Sequence, residues 1–297
     1  MSVHALTFDV EDWRQLFRWK MTGEVLPPGP EVVEETESIL RQLDGAGVRA
    51  TFFVLDNVAA AWPDLVRRIA AAGHEVGCHG LSHRRVYDMT PGEFRAETRA
   101  AKGRLEALLG VPVLGYRAAE FSVTRASWWA LEVLADEGFA YDSSVYPFAG
   151  SRYGVPDFGL EPQAVQTPAG PITEVPMTVL RARGRRYPAL GGGWMRFFPY
   201  AWHRAALRQA EAEGRPGVLY LHPYEFATRP LRVPGLALPA GARLRALRYT
   251  WVQNRFRRPL AGRFRRLLGE FRFAPMRDVI SRIPSTNDGE QRQHVLA

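Results

Sequence analysis

Two histidines four residues apart, in His79-Gly80-Leu81-Ser82-His83, and three acids crowded into Asp9-Val10-Glu11-Asp12 are the side chains of this sequence best suited to chemistry. If 79–83 is a helical turn, positions i and i+4 share one face and both imidazoles can converge on one small ion. The chain has only 7 histidines, so the pairing stands out. Two neutral imidazoles and one carboxylate, with a position left open for water, make a hydrolytic divalent-metal site. The residues alone leave open which of Asp9, Glu11 and Asp12 supplies the carboxylate; they predict a metal-dependent hydrolase.

The elements that must position these groups repeat an order of strand, polar strand end, helix. Val3 to Phe8 reads as a first strand with the acids at its carboxyl end, and His74 to Cys78 as a third strand that delivers His79. That edge is where α/β folds place their chemistry. Trp13 to Gly29 reads as a loop or short-helix excursion. Val32 to Leu43 has helical periodicity, with Val33, Ile39, Leu40 and Leu43 on one face, Ala50 to Leu55 reads as a buried strand, and 57–72 contains another helix that Gly73 ends. Thr90, Pro91 and Glu93 supply the cap, first-turn proline and capping acid of a helix that runs to Leu109.

Val111 to Tyr116 is a fourth strand ending in Arg117, Thr124 to Glu137 a helix, and Phe139 to Ser144 a fifth strand. Residues 147–170 read as an irregular rim segment and Ile172 to Thr178 as a strand. Gly191 to Pro199 reads as a loop needing unusual backbone freedom, and Ala201 to Ala212 as a helix. Gly217 to Leu221 is an apolar strand with His222 at its end. The expected architecture is a mostly parallel, barrel-like α/β sheet with Asp9, His79, Arg117 and His222 along one rim.

A chain of 297 residues with 46% hydrophobic content has enough material for a large core, which argues against disorder. Cys78 is the only cysteine, so no internal disulfide forms. Its place in an apolar strand predicts a core role. The start, Met1 to Thr7, has no basic segment, apolar core or small-residue cleavage site, and reads as the beginning of the fold. No apolar run reaches the roughly 18 residues of a spanning helix, so none is expected. The lack of a signal segment predicts a cytoplasmic location, with the arginine segment a candidate for peripheral membrane contact. Residues 1–281 read as a single catalytic domain and 282–297 as a flexible polar tail.

Between 241 and 269 the composition shifts. Nine arginines (Arg243, Arg245, Arg248, Arg255, Arg257, Arg258, Arg263, Arg265, Arg266) stand among apolar residues with no acid between them. The pattern predicts one or two amphipathic helices broken near Pro259, with Leu244, Leu247, Trp251, Leu260, Phe264, Leu267 and Leu268 packed on the barrel. The arginines are then either a solvated face or, over 243–266, a dock for an anionic membrane or polyanion. No nucleic-acid-binding module accompanies them, so nucleic acid is not an expected partner.

Taken together, Thr7-Phe8-Asp9, His79 to His83, Arg117 and Leu221-His222 resemble the successive motifs of the polysaccharide deacetylases, the NodB-homology carbohydrate esterases of family 4. Asp9 to Trp13, Ser82-His83-Arg84 with Tyr87-Asp88, 138–144, 193–199 and Leu221 to Glu225 resemble more narrowly the branch found with exosortase-type exopolysaccharide loci. The resemblance spans 3–281 in motif order. It implies a distorted (β/α) barrel of about seven strands and one divalent metal ion, most often zinc. It also implies removal of N-acetyl groups from hexosamine units of an acetylated glycan or its precursor.

Carried over residue by residue, the resemblance makes Asp9 the base, His79 and His83 metal ligands, Arg117 the group that holds the base, and His222 the acid. The usual motif has two adjacent aspartates, whereas here Val10 follows Asp9, so the ligand carboxylate is Glu11 or Asp12. Alternation along an extended segment puts Asp9 and Glu11 on one side and favours Glu11, with Asp12 the alternative. Ala119 replaces a usual proline, which frees φ and predicts a looser loop. Trp13, Trp194 and Tyr224 are candidates for stacking on sugar. Two rival readings are an allantoinase-like hydrolase of a small linear or cyclic amide and an inactive glycan-binding relative.

Overall fold

A computed structural model of the chain describes residues 2–231, 238 and 240–283. In chain order its elements are β1 (Val3–Val10), α1 (Trp13–Thr22), α2 (Glu31–Gly45), β2 (Thr51–Val54), α3 (Asp56–Ala61), α4 (Pro63–Ala71), β3 (Glu75–Cys78), α5 (Pro91–Leu109), β4 (Gly115–Tyr116), α6 (Ala130–Asp136) and β5 (Tyr141–Asp142). They continue with β6 (Gln163–Thr167), β7 (Gly170–Glu174), β8 (Val179–Ala182), β9 (Arg185–Pro188), α7 (Gly192–Phe197), α8 (Tyr200–Ala212), β10 (Val218–Leu221), α9 (Ala240–Asn254), α10 (Leu260–Glu270), β11 (Arg272–Ala274) and α11 (Met276–Ile280).

The main sheet runs β10-β1-β2-β3-β4-β5-β7 with every neighbouring pair parallel, β6 adds antiparallel to β7, and β11 pairs with the start of β1. This is the expected barrel-like α/β architecture. In β1, Leu6, Phe8 and Val10 face the large core beneath the helices, whereas Ala5 belongs to the inner cluster with Phe53, Tyr141 and Tyr220. The period of two therefore turns Thr7 and Asp9 inward with Ala5. Burial of both faces explains why β1, β2, β3 and β10 read as nearly continuous apolar runs.

Several expected elements differ. Residues 147–170 are not wholly irregular: Gln163–Thr167 forms a strand on the hairpin with β7, and β8 and β9 form a second hairpin. The expected 191–199 loop contains the short helix α7, entered through Gly191 at φ 96°. A Cβ on Gly191 would strike both the ring and the carbonyl of Tyr220, so glycine serves close approach here, not flexibility. Residues 124–137 split into a single 3-10 turn, Arg125–Ser127, and α6. The Thr90 capping box of α5 is present as expected.

The basic segment forms two helices, α9 and α10, separated around Pro259, and Leu260, Phe264 and Leu267 are fully buried. Leu244, Leu247 and Trp251 do not pack on the barrel; they are 76%, 69% and 59% exposed. Ala242, Ala246 and Tyr249 take the inner face of α9 in their place. The expected tail falls, over 284–297, outside the described residues. Among the described residues no helix is long and apolar enough to cross a membrane.

Candidate active site

The carboxyl ends of β1, β3 and β10 and the segment after β4 converge on one buried polar cluster. Glu11, one residue past β1, is 3% exposed, and its Oε1 lies 2.7 Å from His79 Nε2 and 3.0 Å from His83 Nε2. Asp12 points elsewhere. Its Oδ1 accepts from Gln15 N at 2.7 Å as the N-cap of α1, and its Oδ2 accepts from Gly29 N at 3.1 Å.

The two histidines do not share a helical turn. Residues 79–85 form an irregular loop in which Gly80 has φ 81° and His83 itself φ 60°. The rings meet edge to face at 5.6 Å because the backbone reverses between them. A non-glycine residue in the left-handed region costs conformational energy, which the convergence on Glu11 offsets.

His79 Nδ1 lies 2.8 Å from the Arg117 carbonyl. A neutral ring that donates there presents the Nε2 lone pair to the Glu11 carboxylate, and His83 Nε2 meets the same oxygen. Electron pairs from all three groups aimed at one point repel unless protons or a cation lie among them. Burial lowers the pKa of His79, but the charge of Asp9 and the hydrogen bond and charge of Glu11 outweigh it and hold the group above its ordinary value. Burial raises Glu11, but the charge of His83 and hydrogen bonds from both histidines bring it well below the usual carboxylate range. The ligand atoms of Glu11, His79 and His83 lie within 4.8 Å of one another. This donor set fits a divalent cation, and the backbone bond to His79 fixes its tautomer as a ligand requires.

Arg117 is fully buried and every edge of its guanidinium is used. Nη1 donates to Asp9 Oδ1 at 2.8 Å and Thr7 Oγ1 at 2.7 Å, Nε to the Ser143 carbonyl at 3.0 Å, and Nη2 to Ser143 Oγ at 3.0 Å. Its face lies 4.3 Å over the Phe53 ring. A planar fork fits such a set and an ammonium would not.

His222 begins a 3-10 turn, Pro223–Phe226, and its Nδ1 is 3.1 Å from Glu225 Oε2. Burial lowers its pKa, yet the Glu225 hydrogen bond and the charges of Glu11, Glu225 and Asp9 raise it to about 9. Glu225 is in turn 3.3 Å from Arg196 Nε, both side chains nearly fully buried. Asp9, Glu11 and His222 also bring ligand atoms within 4.8 Å of one another, so Asp9 and His222 flank the same carboxylate.

Trp13 and Tyr224 do not present free ring faces. Trp13 is 4% exposed and stacked on Tyr249 at 5.4 Å, and Tyr224 is 7% exposed and stacked on His222 at 5.0 Å. Trp194 is half-buried on α7, stacked on Phe198 at 5.7 Å. Ala119 sits in a hydrogen-bonded segment: Ser122 Oγ donates to its carbonyl at 2.6 Å and accepts from Val86 N at 2.9 Å. A cavity of about 560 Å³ lies on the other side of Trp13, between α2 and 226–231, and none of Glu11, His79, His83 or His222 lines it. The donors converge instead on the buried cluster around Glu11.

Arg196 and Ser143 were not legible as site residues. Arg196 sits in a glycine-rich stretch with no spacing relation to His222, and Ser143 acts through its backbone carbonyl as well as its hydroxyl. Glu225, three residues past His222, carried the only usable signal, a capping-box spacing.

Residues 2–137 match the polysaccharide deacetylase family model, and 143–281 match a model described as a domain of unknown function, DUF3473. The peptidoglycan-N-acetylglucosamine deacetylase of Bacillus cereus is 37% identical over 82 residues, 28% of this chain and 30% of that protein. The chitooligosaccharide deacetylase of a Bradyrhizobium species is 29% identical over 111 residues, 37% of this chain and 48% of that protein. The chain thus spans less than half the length of these relatives. A Mycobacterium smegmatis structure, named a "putative polysaccharide deacetylase", superposes with a TM-score of 0.63 over 99% of this chain and 95% of that one at 22% identity. PuuE allantoinase gives a TM-score of 0.52 over 88% and 89% at 19% identity. Likenesses at these identities speak to the fold alone. The polysaccharide deacetylase model thus covers every strand from β1 to β4 and the residues Asp9, Glu11, His79, His83 and Arg117, so this part of the chain is similar to that family.

Proposed function

We propose that residues 1–281 act as one catalytic unit, a metal-dependent hydrolase that removes N-acetyl groups from hexosamine units of a polysaccharide or its precursor and releases acetate. The observation that carries this reading is the shared position of Glu11: two imidazole nitrogens meet its carboxylate at 2.7 and 3.0 Å, and Asp9 and His222 flank it. The substrate class follows from relatives named for peptidoglycan and chitooligosaccharide deacetylation. The motif resemblance directs the reading to a bacterial exopolysaccharide.

Glu11, His79 and His83 would hold the metal, and the two-imidazole, one-carboxylate set suits zinc. Bound there, a divalent cation supplies Lewis acidity to the amide carbonyl and to the attacking water. Asp9 accepts the water's proton, and Arg117, bonded to Asp9 Oδ1 at 2.8 Å, aims the carboxylate. His222 enters protonated and donates to the departing sugar amine, a poor leaving group as an anion. Trp194 is the candidate for contact with the sugar ring, whereas Trp13 and Tyr224 shape the wall behind His222.

Acetate release from chitin oligomers and bacterial exopolysaccharide fragments, measured with metal-loaded protein, tests the reading. Release is expected, with near-complete loss in Asp9→Asn and His222→Ala. Turnover of allantoin-like amides without release from any acetylated glycan would replace it with the small-amide alternative.

A further inference from the structure

Helix α9 is apolar on two opposite faces, and one protein surface covers only one of them. The inner face packs Ala246 and Tyr249 against the Trp13–Phe17 cluster. The outer face carries Leu244, Leu247 and Trp251 at i, i+3 and i+7, each more than half exposed. The stripe continues beyond the helix: Phe256, 48% exposed, meets Phe197, 45% exposed, at 5.6 Å. Arg255 bridges the two parts, lying 4.3 Å over Trp251 and 5.1 Å over Phe256. A single exposed leucine is ordinary, but a run of large apolar side chains like this one marks an interaction surface.

The segment that carries the stripe holds charge of one sign. Arg248 and Arg255 share the outer face, Arg243 and Arg245 border it, and no acid occurs between Glu225 and Glu270. Arg243 and Arg245 bond only backbone carbonyls, of Leu238 and Met21, and Arg255 meets rings; among the described residues none of these three forms an ion pair. Arginine beside tryptophan and leucine on an outward helical face is the chemistry of an element that lies in the interface of an anionic bilayer.

We propose that the outer face of α9, with the turn at 255–256, docks on an anionic lipid membrane, the helix lying in the plane of the interface. The apolar stripe decides between anionic partners. A polyanionic glycan would satisfy the arginines but offers Leu244, Leu247 and Phe256 no apolar phase, whereas a bilayer satisfies both. The docked face backs onto the candidate active site through a chain of rings: Tyr249 on Trp13 at 5.4 Å, Trp13 on Tyr224 at 5.8 Å, and Tyr224 on His222 at 5.0 Å. Docking would therefore hold the site close to the membrane surface. The proposal does not depend on the catalytic reading.

Cosedimentation of the full chain with phosphatidylcholine vesicles, with and without a third of phosphatidylglycerol, tests it. Strong binding is expected only to the anionic vesicles. Arg248→Gln with Arg255→Gln should weaken it by about fivefold per arginine, about 1 kcal/mol each. Leu247→Ser with Trp251→Ser should weaken it by about tenfold or more. All four side chains are exposed, and near-ultraviolet circular dichroism checks that each variant is folded. Equal binding to neutral vesicles, or none to anionic ones, overturns the proposal. So does anionic binding that the serine variants leave unchanged, which marks simple charge attraction. Self-association abolished by Leu247→Ser would assign the face to a second copy, and full competition by a soluble polyanionic glycan would assign it to glycan.

Discussion

Glu225 Oε2 receives both the backbone N–H and the Nδ1–H of His222, at 3.0 and 3.1 Å. One carboxylate thereby fixes both the position and the tautomer of the ring, leaving Nε2 as the nitrogen available to the cluster around Glu11. It also holds the proton. Burial pulls His222 down, and the Glu225 bond is the largest of the contributions that carry it up to about 9. A general acid must be protonated, so acetate release should persist as pH rises from neutrality and fall above about 9. In Glu225→Gln the alkaline limb of kcat/KM should move down by about one unit or more, toward the ordinary histidine value. An unmoved limb would assign it to another group. The linked stability contribution is fully present below 6.5, the unfolded value, and is lost as pH rises through about 9.

Arg117 and Asp9 predict a second, separable effect. With Arg117 fully buried on Asp9 and Thr7, Arg117→Met leaves the Asp9 carboxylate without its cationic partner. Removing one member of a buried pair costs about 3–5 kcal/mol, so the urea midpoint should drop sharply. Arg117→Lys keeps the charge but loses the bonds to Ser143, and should recover part of the stability while acetate release stays low. Equal loss of stability in both variants would mean that fork geometry, not charge, dominates.

The acids after β1 are distinguishable by metal content. Glu11→Gln should lose most of its bound metal by elemental analysis, together with acetate release. Asp12→Ala should keep the metal and lose about 1 kcal/mol of stability, because it removes an N-cap from α1. The reverse pattern would make Asp12 the ligand.

Much of this site was legible because its residues stand at strand ends. Alternation along 5–11 was enough to turn Asp9 inward, and the polar residues after 78, 116 and 221 marked one rim. The helical turn expected for His79 and His83 was the wrong mechanism for a correct convergence: spacing measures sequence separation, and a loop with two left-handed residues closes the same distance. Leu244, Leu247 and Trp251 misled for a related reason. Periodicity shows that a face is apolar, and in α9 alanines and Tyr249 supply the inward face. Arg196 was invisible because its partner, Glu225, stands 29 residues on in the turn after β10 and is brought to it by the fold, not by any local pattern.

Asp142 and Glu174 stand opposite each other on β5 and β7, both fully buried. Ser144 Oγ donates to Asp142 Oδ1 at 2.6 Å and Val145 N to Glu174 Oε1 at 2.9 Å, whereas Asp142 Oδ2 and Glu174 Oε2 are buried without another partner among the described residues, which one proton shared between them would supply. Burial, and then the charge of Asp142, pushes Glu174 well above its ordinary 4.5. The folded state therefore retains a proton that the unfolded chain has released once pH passes that value. Stability from this pair is full below about pH 4.5 and declines as pH rises toward the folded pKa. Ser144 also accepts from Ala118 N at 2.8 Å, so the pair supports the segment after Arg117. Glu174→Gln keeps a donor toward Asp142 and an acceptor for Val145 without binding a proton. Urea unfolding between pH 5 and 9 should show a shallower decline in this variant than in the parent. Parallel curves would mean that the two carboxyls do not share a proton.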